Sequence, residues 1–260
     1  MRRELHIFLS AVMFYTRIPC PKEVGHNPEY VNLSLRYLPF IGWIIGGLFG
    51  TAILFVSYVL IPEISVLTGL TISILLTGAF HEDGLADVCD GFGGGWTKDK
   101  ILAIMKDSRL GTYGVVALVL TFAFKFYLVL DLFRILPSFS FIIVIISSHS
   151  LSRAMTVVVP YFLSYARQQQ ESKACVSPVR IKVSVLLVAF LFGMTPVCFL
   201  LFLHGWIIVL VILPTFLMTI FLMHYFNKWI GGYTGDCLGA TQQVNEIVFL
   251  LGTAGLWKFT

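Results

Sequence analysis

Residues 81–90 read His-Glu-Asp-Gly-Leu-Ala-Asp-Val-Cys-Asp and place four acidic side chains at the end of a long apolar run, residues 64–82. Asp83, Asp87 and Asp90 are spaced i, i+4 and i+7, so in an α-helix all three project from one face. Three neighbouring carboxylates beside hydrocarbon repel one another and are poorly solvated, so they need a cation. The stretch therefore predicts a helical membrane segment with a divalent metal site at its polar end.

The composition is that of a membrane protein. The 260 residues are 57% hydrophobic and 12% charged, and the mean hydropathy is +0.87, whereas soluble domains carry about 25% charged residues. We therefore expect an all-α polytopic helical bundle of six to seven spans, forming a single membrane-embedded domain over residues 1–260. The apolar stretches long enough to cross roughly 30 Å of hydrocarbon are residues 38–60, 64–82, 112–133, 139–162, 183–203 and 206–226, and a seventh, 244–257, is short.

Basic residues occupy every second connection between these stretches. Lys and Arg collect on the cytoplasmic side of short membrane loops. The alternation predicts a cytoplasmic N-terminus and a cytoplasmic face for the acidic motif, and it accounts for the net charge of +4, so no nucleic-acid partner is expected. The residues that carry it are Arg2, Arg3, Arg17, Lys22, Arg36, Lys98, Lys100, Lys106, Arg109, Arg167, Lys173, Arg180, Lys182 and Lys228.

A second polar block precedes the last apolar run. If the chain is helical from Asp236, then Asp236, Gly239, Gln243 and Glu246 lie on one face. The loop charges put this block on the same side of the membrane as residues 81–90, so the two can meet around one or two metal ions. Two ions about 3.5–4 Å apart stabilise the attacking and leaving oxygens of a phosphoryl displacement. Ligands that are all oxygen favour Mg²⁺, or Mn²⁺.

Small residues beside the acids leave room for close packing. Gly84 and Ala86 allow a neighbouring helix or a phosphate group to approach the backbone. The glycine-rich run Gly91–Gly95 is expected to end the helix and to open a loop.

Basic and amide groups near this face are candidates for binding a phosphate. Arg109 offers a planar fork of donors, and amide groups around Gly111 lie at an expected helix start, so both suit phosphate oxygens. Arg153 lies inside the fourth apolar stretch, where a permanent cation is unfavourable unless it faces a polar site.

Two side chains are open to two interpretations, and a third is left out of the site. His81 is either a general base or an interfacial histidine. Arg17 is either an interfacial anchor or a phosphate contact. Lys125 lies within an apolar stretch, but its long stem can reach the membrane interface, so it is left out of the site.

Four stretches, residues 14–19, 78–91, 106–114 and 235–240, together resemble the cobalamin synthase family of adenosylcobinamide-GDP ribazoletransferases. The resemblance covers nearly the whole chain. Its most specific element is similar to the family pattern H-x-D-G-L-A-D-x-x-D-G, which is matched by His81, Asp83, Gly84, Leu85, Ala86, Asp87, Asp90 and Gly91.

The resemblance implies Mg²⁺-dependent phosphoryl transfer at the cytoplasmic face of the bacterial cytoplasmic (inner) membrane. Adenosylcobinamide-GDP and α-ribazole, or α-ribazole 5′-phosphate, give adenosylcobalamin, or its 5′-phosphate, and GMP. Membrane lipid surrounds the protein, and a homo-oligomer is possible. In this scheme the metal ligands are Asp83, Asp87, Asp90 and Asp236. The substrate is bound by Arg17, Arg109, Gly111 and Arg153. The catalytic side chains are Asp83 and either His81 or Glu246, and the latter orients or deprotonates the attacking hydroxyl of α-ribazole.

Two other functions remain as alternatives. CDP-alcohol phosphotransferases of lipid synthesis resemble D-G-x2-A-R-x8-G-x3-D-x3-D, but here Asp83-Gly84-x2 is followed by Asp87 instead of Ala-Arg. A divalent-cation transporter also places acids in a membrane, although transporters hold ions near the midplane between repeated halves. No internal repeat is visible in this chain.

Overall fold

The computed structural model describes residues 2–21, 24, 27–167 and 181–258. Within these residues the protein consists of helices, turns and one isolated β-bridge, between Tyr165 and Tyr233, which confirms the predicted all-α class. The α-helices are α1 (Arg2–Tyr15), α2 (Pro28–Ser34), α3 (Leu38–Ser57), α4 (Pro62–Thr77), α5 (Phe80–Gly94), α6 (Lys98–Ile104), α7 (Thr112–Ile135), α8 (Ser138–Phe162), α9 (Val183–His204), α10 (Val209–Ile230) and α11 (Gly235–Trp257).

Five of the described helical segments are long and apolar enough to cross a membrane. They are Pro28–Ser57, which joins α2 to α3 through a 3-10 turn, then α7, α8 and α9, and finally Trp206–Ile230, which includes α10. Their outward side chains are apolar, and Val119, Leu191 and Phe221 are 62%, 64% and 59% exposed, as suits helices in contact with lipid. The predicted polytopic membrane architecture is confirmed.

The predicted span at residues 64–82 is wrong at its C-terminal end. α4 ends at Thr77, and α5 begins at Phe80 after Gly78 and Ala79, which have left-handed φ values of 64° and 56°. The two helices are bent by 87° relative to each other. The apolar pattern runs through the bend, so hydropathy does not reveal it. As a result, the acidic helix α5 turns away from the direction of α4 and packs against α7 and α11.

α5 ends within the glycine-rich run, as predicted. The helix includes Gly91 and continues to Gly94, with Gly95 as its C-cap. The short helix α6 packs against this part of α5, with Ile101 and Met105 next to Gly91. Tertiary packing therefore keeps a glycine-rich segment helical despite its low intrinsic propensity.

α8 and α11 lie inside the bundle, whereas α7, α9 and α10 are more exposed. α8 has 78% of its most apolar stretch buried and packs against α3, α9 and α11. α11 contains the undecided stretch 244–257 and begins at the second polar block, so Asp236 and Glu246 belong to one helix, as predicted. α11 is not among the five apolar segments, because it carries a buried row of polar side chains, namely Thr241, Gln242, Gln243, Asn245 and Glu246.

The cytoplasmic position of the N-terminus stays a prediction. Several residues that support it lie outside the described residues: Lys22, Lys173, Arg180 and the side chain of Arg2.

Candidate active site

α5 and α11 cross in close contact at two glycines. A Cβ atom on Gly84 would lie 2.9 Å from the carbonyl oxygen of Asp236, and one on Gly239 would lie 2.9 Å from the carbonyl oxygen of His81. Ordinary contacts of a Cβ atom begin at 3.4 Å. Only glycine at both positions therefore allows the helices to approach this closely, and Gly84 has the packing role expected from its place beside the acids.

The crossing brings the two acidic segments to one cavity of about 340 Å³. Asp83 precedes Gly84, and Asp236 lies one turn before Gly239. Both aspartates line the cavity, and so does His81, which is only 2% exposed. Three of the predicted site residues thus meet in space.

Asp87 lies one turn after Asp83 on the same face of α5 and is half-buried. Neither carboxylate forms a hydrogen bond or an ion pair with another residue in the part of the chain that the structure describes. Of these two carboxylates, Asp83 lines the cavity beside Asp236.

Asp90 has a different environment, because its carboxylate lies against the first turn of α7. Its Oδ2 accepts a hydrogen bond from the amide of Gly111 at 2.7 Å, and its Oδ1 accepts one from the amide of Gly114 at 2.9 Å. The first amides of a helix lack partners within the helix, so Asp90 satisfies two donors and fixes the start of α7. The structure thereby places the Gly111 amide on Asp90 and leaves it away from the cavity.

Asp236 is held at the first turn of α11 by two side chains. Arg167 Nη2 donates to Asp236 Oδ2 at 3.0 Å, and the Thr234 hydroxyl donates to the same oxygen at 3.2 Å. Thr234 Oγ1 also accepts a hydrogen bond from the Cys237 amide at 3.4 Å, as an N-cap residue does. Arg167 lines the cavity and provides the positive charge beside Asp236.

A short parallel bridge puts Arg167 in this position. The amide of Ala166 donates to the carbonyl oxygen of Tyr233 at 2.8 Å. The amide of Tyr233 donates to the carbonyl oxygen of Ser164 at 3.0 Å. Burial raises the pKa of Tyr233 to about 12, so its hydroxyl stays protonated. Sequence reasoning used Arg167 only as a loop charge, since no local pattern indicates that the segment after α8 pairs with the segment before α11.

The structure does not bring Arg109 to the cavity. Its side chain is 87% exposed and donates to Asp107, with Nη2 2.6 Å from Asp107 Oδ2. Hydrogen bonds from Arg109 hold the pKa of the Asp107 carboxyl below its usual range. In the connection between α6 and α7, the cation that lines the cavity is Lys106.

Arg17 lies at the bend between α4 and α5. Its amide donates to the carbonyl oxygen of Leu76 at 2.7 Å, and its guanidinium lies against Gly78. The side chain therefore packs on the left-handed turn that directs α5, and it is not among the residues that line the cavity.

Glu246 belongs to a buried polar network that lies apart from the cavity lining. Its Oε1 is 2.7 Å from Lys125 Nζ, and its Oε2 is 3.4 Å from His149 Nδ1 and 3.9 Å from Arg153 Nη1. Gln242 also donates to Glu246 Oε2. These side chains are almost inaccessible to solvent, so the network places a carboxylate beside permanent cations inside the bundle.

The network accounts for two cations that the sequence left isolated. Arg153 Nη1 donates to the carbonyl oxygen of His149 at 2.9 Å, and the structure does not bring it to the cavity. Lys125 is 5% exposed and paired, so the expectation that it reaches the membrane interface is wrong. Glu82, which accepts a hydrogen bond from Gln243 at 3.0 Å, is a second buried carboxylate nearby.

The donor chemistry at the crossing suits Mg²⁺ or Mn²⁺. Asp83, Asp87 and Asp236 provide only oxygen ligands, and a guanidinium already lies at Asp236. Among the described residues, however, no three His, Cys, Asp or Glu side chains lie close enough together to hold a metal ion. The metal and its ligands therefore stay predictions.

Comparison with known proteins gives a consistent result. The family model for cobalamin-5-phosphate synthase matches residues 7–254. A protein of Leptospira interrogans serogroup Icterohaemorrhagiae serovar copenhageni, called adenosylcobinamide-GDP ribazoletransferase, is 40% identical over 99% of this chain and 98% of its own length. Proteins with the same name from Shewanella piezotolerans and Vibrio parahaemolyticus are 40% and 37% identical over 96% of this chain and over 95% and 92% of their own lengths.

No solved structure matches the chain. The family model and the full-length relatives lead to one assignment. The chain belongs to the cobalamin-5-phosphate synthase family.

Proposed function

We propose that this protein is an adenosylcobinamide-GDP ribazoletransferase. It joins adenosylcobinamide-GDP to α-ribazole, or to α-ribazole 5′-phosphate, and gives adenosylcobalamin, or its 5′-phosphate, and GMP. The observation that carries the proposal is the α5–α11 crossing, which puts Asp83 and Asp236 at one cavity together with Lys106 and Arg167. The names and full-length similarity of the relatives support the same reaction.

The charged groups of the cavity divide between the metal and the phosphates. We propose that Asp83 and Asp236, which line the cavity, together with Asp87 one turn after Asp83, would hold Mg²⁺, and that the ion would supply positive charge to neutralise the pyrophosphate and the leaving GMP. Arg167 and Lys106 line the same cavity and provide the cations that hold the pyrophosphate before displacement. Arg167 takes the clamp role that the sequence suggested for Arg109 and Arg153.

His81 is the residue best placed to act on the attacking hydroxyl. It lines the cavity two residues before Asp83, whereas Glu246 is enclosed by Lys125 and His149. A group that orients or deprotonates a hydroxyl must come within hydrogen-bond reach of it. We therefore assign this role to His81.

The remaining predicted site residues act on the protein itself. Asp90 anchors the start of α7 through the Gly111 amide, Arg17 supports the bend before α5, and Glu246 balances Lys125 and Arg153. Arg17 and Glu246 thereby support α5 and α8, which line the cavity, and Asp90 joins α5 to α7.

We place the cavity at the cytoplasmic face of the bacterial inner membrane. The proposal rests on the alternation of basic loops, in which Lys106 and Arg167 belong to two of the basic connections. A cytoplasmic opening gives soluble α-ribazole direct access, while the corrinoid can lie at the membrane surface.

The direct test follows GMP release by the purified protein in lipid nanodiscs with adenosylcobinamide-GDP, α-ribazole and Mg²⁺. The Asp83→Asn variant should lose at least about 100-fold in kcat, as expected when a group that stabilises transition-state charge is removed. Asp99→Asn, a change at an exposed position of α6, is the matched control and should keep wild-type activity.

Three outcomes would contradict the proposal or part of it. Folded wild-type protein that releases no GMP would exclude the transferase reaction, and uptake of a divalent ion into proteoliposomes by the same protein would favour a transporter instead. Full activity of Asp83→Asn would exclude Asp83 as a ligand.

A further inference from the structure

The cavity has two chemically different walls. The charged wall consists of Asp83, Lys106, Arg167 and Asp236. A second part of the lining, from α1, α2, the 3-10 turn after α2, the start of α3 and the first residue of α5, is apolar except for Asn32 and forms the apolar wall. Its side chains are Phe14, Tyr15, Val31, Leu35, Leu38 and Phe80.

Three aromatic rings form the centre of the apolar wall. Phe80 packs edge-on against Phe14, with centroids 5.5 Å apart, and against Tyr15, with centroids 6.1 Å apart. Tyr15 is 5% exposed, but Phe80 remains 43% exposed. Because Phe80 lines the cavity, part of its ring surface is available to a ligand there.

The same helix that carries Asp83 carries Phe80. The two residues are three positions apart on α5, so their side chains lie on neighbouring parts of one helix face. The left-handed turn at Gly78 and Ala79 places Phe80 at the start of this helix. A flat group against Phe80 therefore lies close to Asp83.

The size of the cavity selects one part of the substrates. A nucleoside has about 20 non-hydrogen atoms and occupies roughly 300 Å³ at the density of packed organic groups. A cavity of about 340 Å³ therefore holds one nucleoside, whereas the corrinoid is several times larger and must lie outside.

The chemistry of the wall distinguishes between the two nucleosides of the reaction. Guanine carries several acceptors and donors on its edges, among them N7, O6 and the N2 amino group, and burying them without partners is unfavourable. The benzimidazole base of α-ribazole has no such donor and keeps a single ring nitrogen as acceptor. A wall of three aromatic rings and aliphatic side chains with one amide suits the second base.

We propose that Phe14, Tyr15 and Phe80 form the binding site for the base of α-ribazole and thereby hold its ribose beside Asp83 and Asp236. This inference rests on the proposed transferase function and adds the location of the acceptor nucleoside. It also assigns a role to Phe14 and Tyr15, which belong to the family-like stretch of residues 14–19.

The test measures KM for each substrate separately in nanodiscs, with the other substrate saturating. Loss of base–aromatic stacking should raise KM for α-ribazole about tenfold in Phe80→Ala, with KM for adenosylcobinamide-GDP within twofold of wild type. Phe80→Tyr keeps the ring and should restore the wild-type value. Phe55→Ala is the matched control, because Phe55 is 73% exposed on α3 and does not line the cavity.

Equilibrium dialysis of labelled α-ribazole with the wild type and with Phe80→Ala separates this inference from the proposed function. If the wild type releases no GMP but binds α-ribazole, and Phe80→Ala does not, the transferase function fails and the aromatic site stands. If GMP is released but Phe80→Ala leaves KM for α-ribazole unchanged, or raises only KM for adenosylcobinamide-GDP, the aromatic site is wrong. Phe14→Leu should raise KM for α-ribazole about threefold by the same loss of ring contact, and it decides the question if Phe80→Ala does not fold.

Discussion

Replacing Gly239 by alanine tests whether the α5–α11 crossing builds the active site. The added Cβ would lie 2.9 Å from His81 O, 3.2 Å from His81 Cα and 3.3 Å from Gly84 Cα. All three atoms belong to the backbone, so no side chain can rotate to make room. Reaching the ordinary 3.4 Å contact requires the helices to separate by 3.4 − 2.9 = 0.5 Å.

This separation moves Asp236 away from Asp83. A misplacement of 1 Å in an active site can reduce the rate about 100-fold, so 0.5 Å corresponds to about tenfold on a logarithmic scale. We expect kcat of Gly239→Ala to fall about tenfold. Overpacking destabilises by about 1–3 kcal/mol, and the better helix propensity of alanine offsets up to about 1 kcal/mol of that, so the protein should still fold.

Gly255→Ala is the control in the same helix. A Cβ at Gly255 would have no neighbour within 4 Å, so the change should keep wild-type kcat and should not lower stability. GMP release and thermal unfolding in detergent measure both effects. The reasoning is refuted if Gly239→Ala has the same kcat as Gly255→Ala, or if Gly84→Ala, which meets Asp236 O at 2.9 Å, leaves kcat unchanged.

Three further predictions concern charged residues. Arg167→Gln should raise KM for adenosylcobinamide-GDP at least about tenfold, because a charged donor to phosphate is lost, whereas exposed Arg109→Gln should change it less than twofold; equal effects would contradict the assignment. Glu246→Gln should lower the free energy of unfolding by about 3 kcal/mol, because Lys125 stays buried without its carboxylate, and adding Lys125→Met should recover part of this loss; additive losses in chemical unfolding would exclude the coupling. Asp90→Asn should destabilise the protein by about 1–2 kcal/mol and keep kcat within a few-fold, whereas a 100-fold loss in GMP release would identify Asp90 as a metal ligand.

The long apolar helices could be predicted from sequence to within a few residues. The expected spans 112–133 and 139–162 correspond to α7 (Thr112–Ile135) and α8 (Ser138–Phe162). Hydropathy succeeds here because a helix in lipid must satisfy its own backbone and present apolar side chains along its length. The bend at Gly78 was missed because it changes the direction of the chain without changing its hydropathy.

The charged residues were harder to assign. Lys125 and Arg153 both read as cations inside apolar stretches, and only the position of Glu246 on α11 shows that they share one carboxylate. Arg109 lies in a motif that suits phosphate binding, but its side chain pairs with its neighbour Asp107. Arg167 had no motif, and a backbone bridge from a distant segment brings it to Asp236.

Hydropathy, helical spacing and motif identity are local properties, so they suffice to predict an all-α membrane protein with an acidic motif of the cobalamin-5-phosphate synthase family. Which acids and cations share the cavity depends instead on tertiary contacts. Asp83 and Asp90 belong to one helical face, yet Asp83 lines the cavity and Asp90 binds the amides of α7. The two aspartates differ because the helix packed against each one provides its interaction partner. That packing depends on the glycine contacts between α5 and α11 and on the left-handed turn before α5, which the spacing of the acids does not encode.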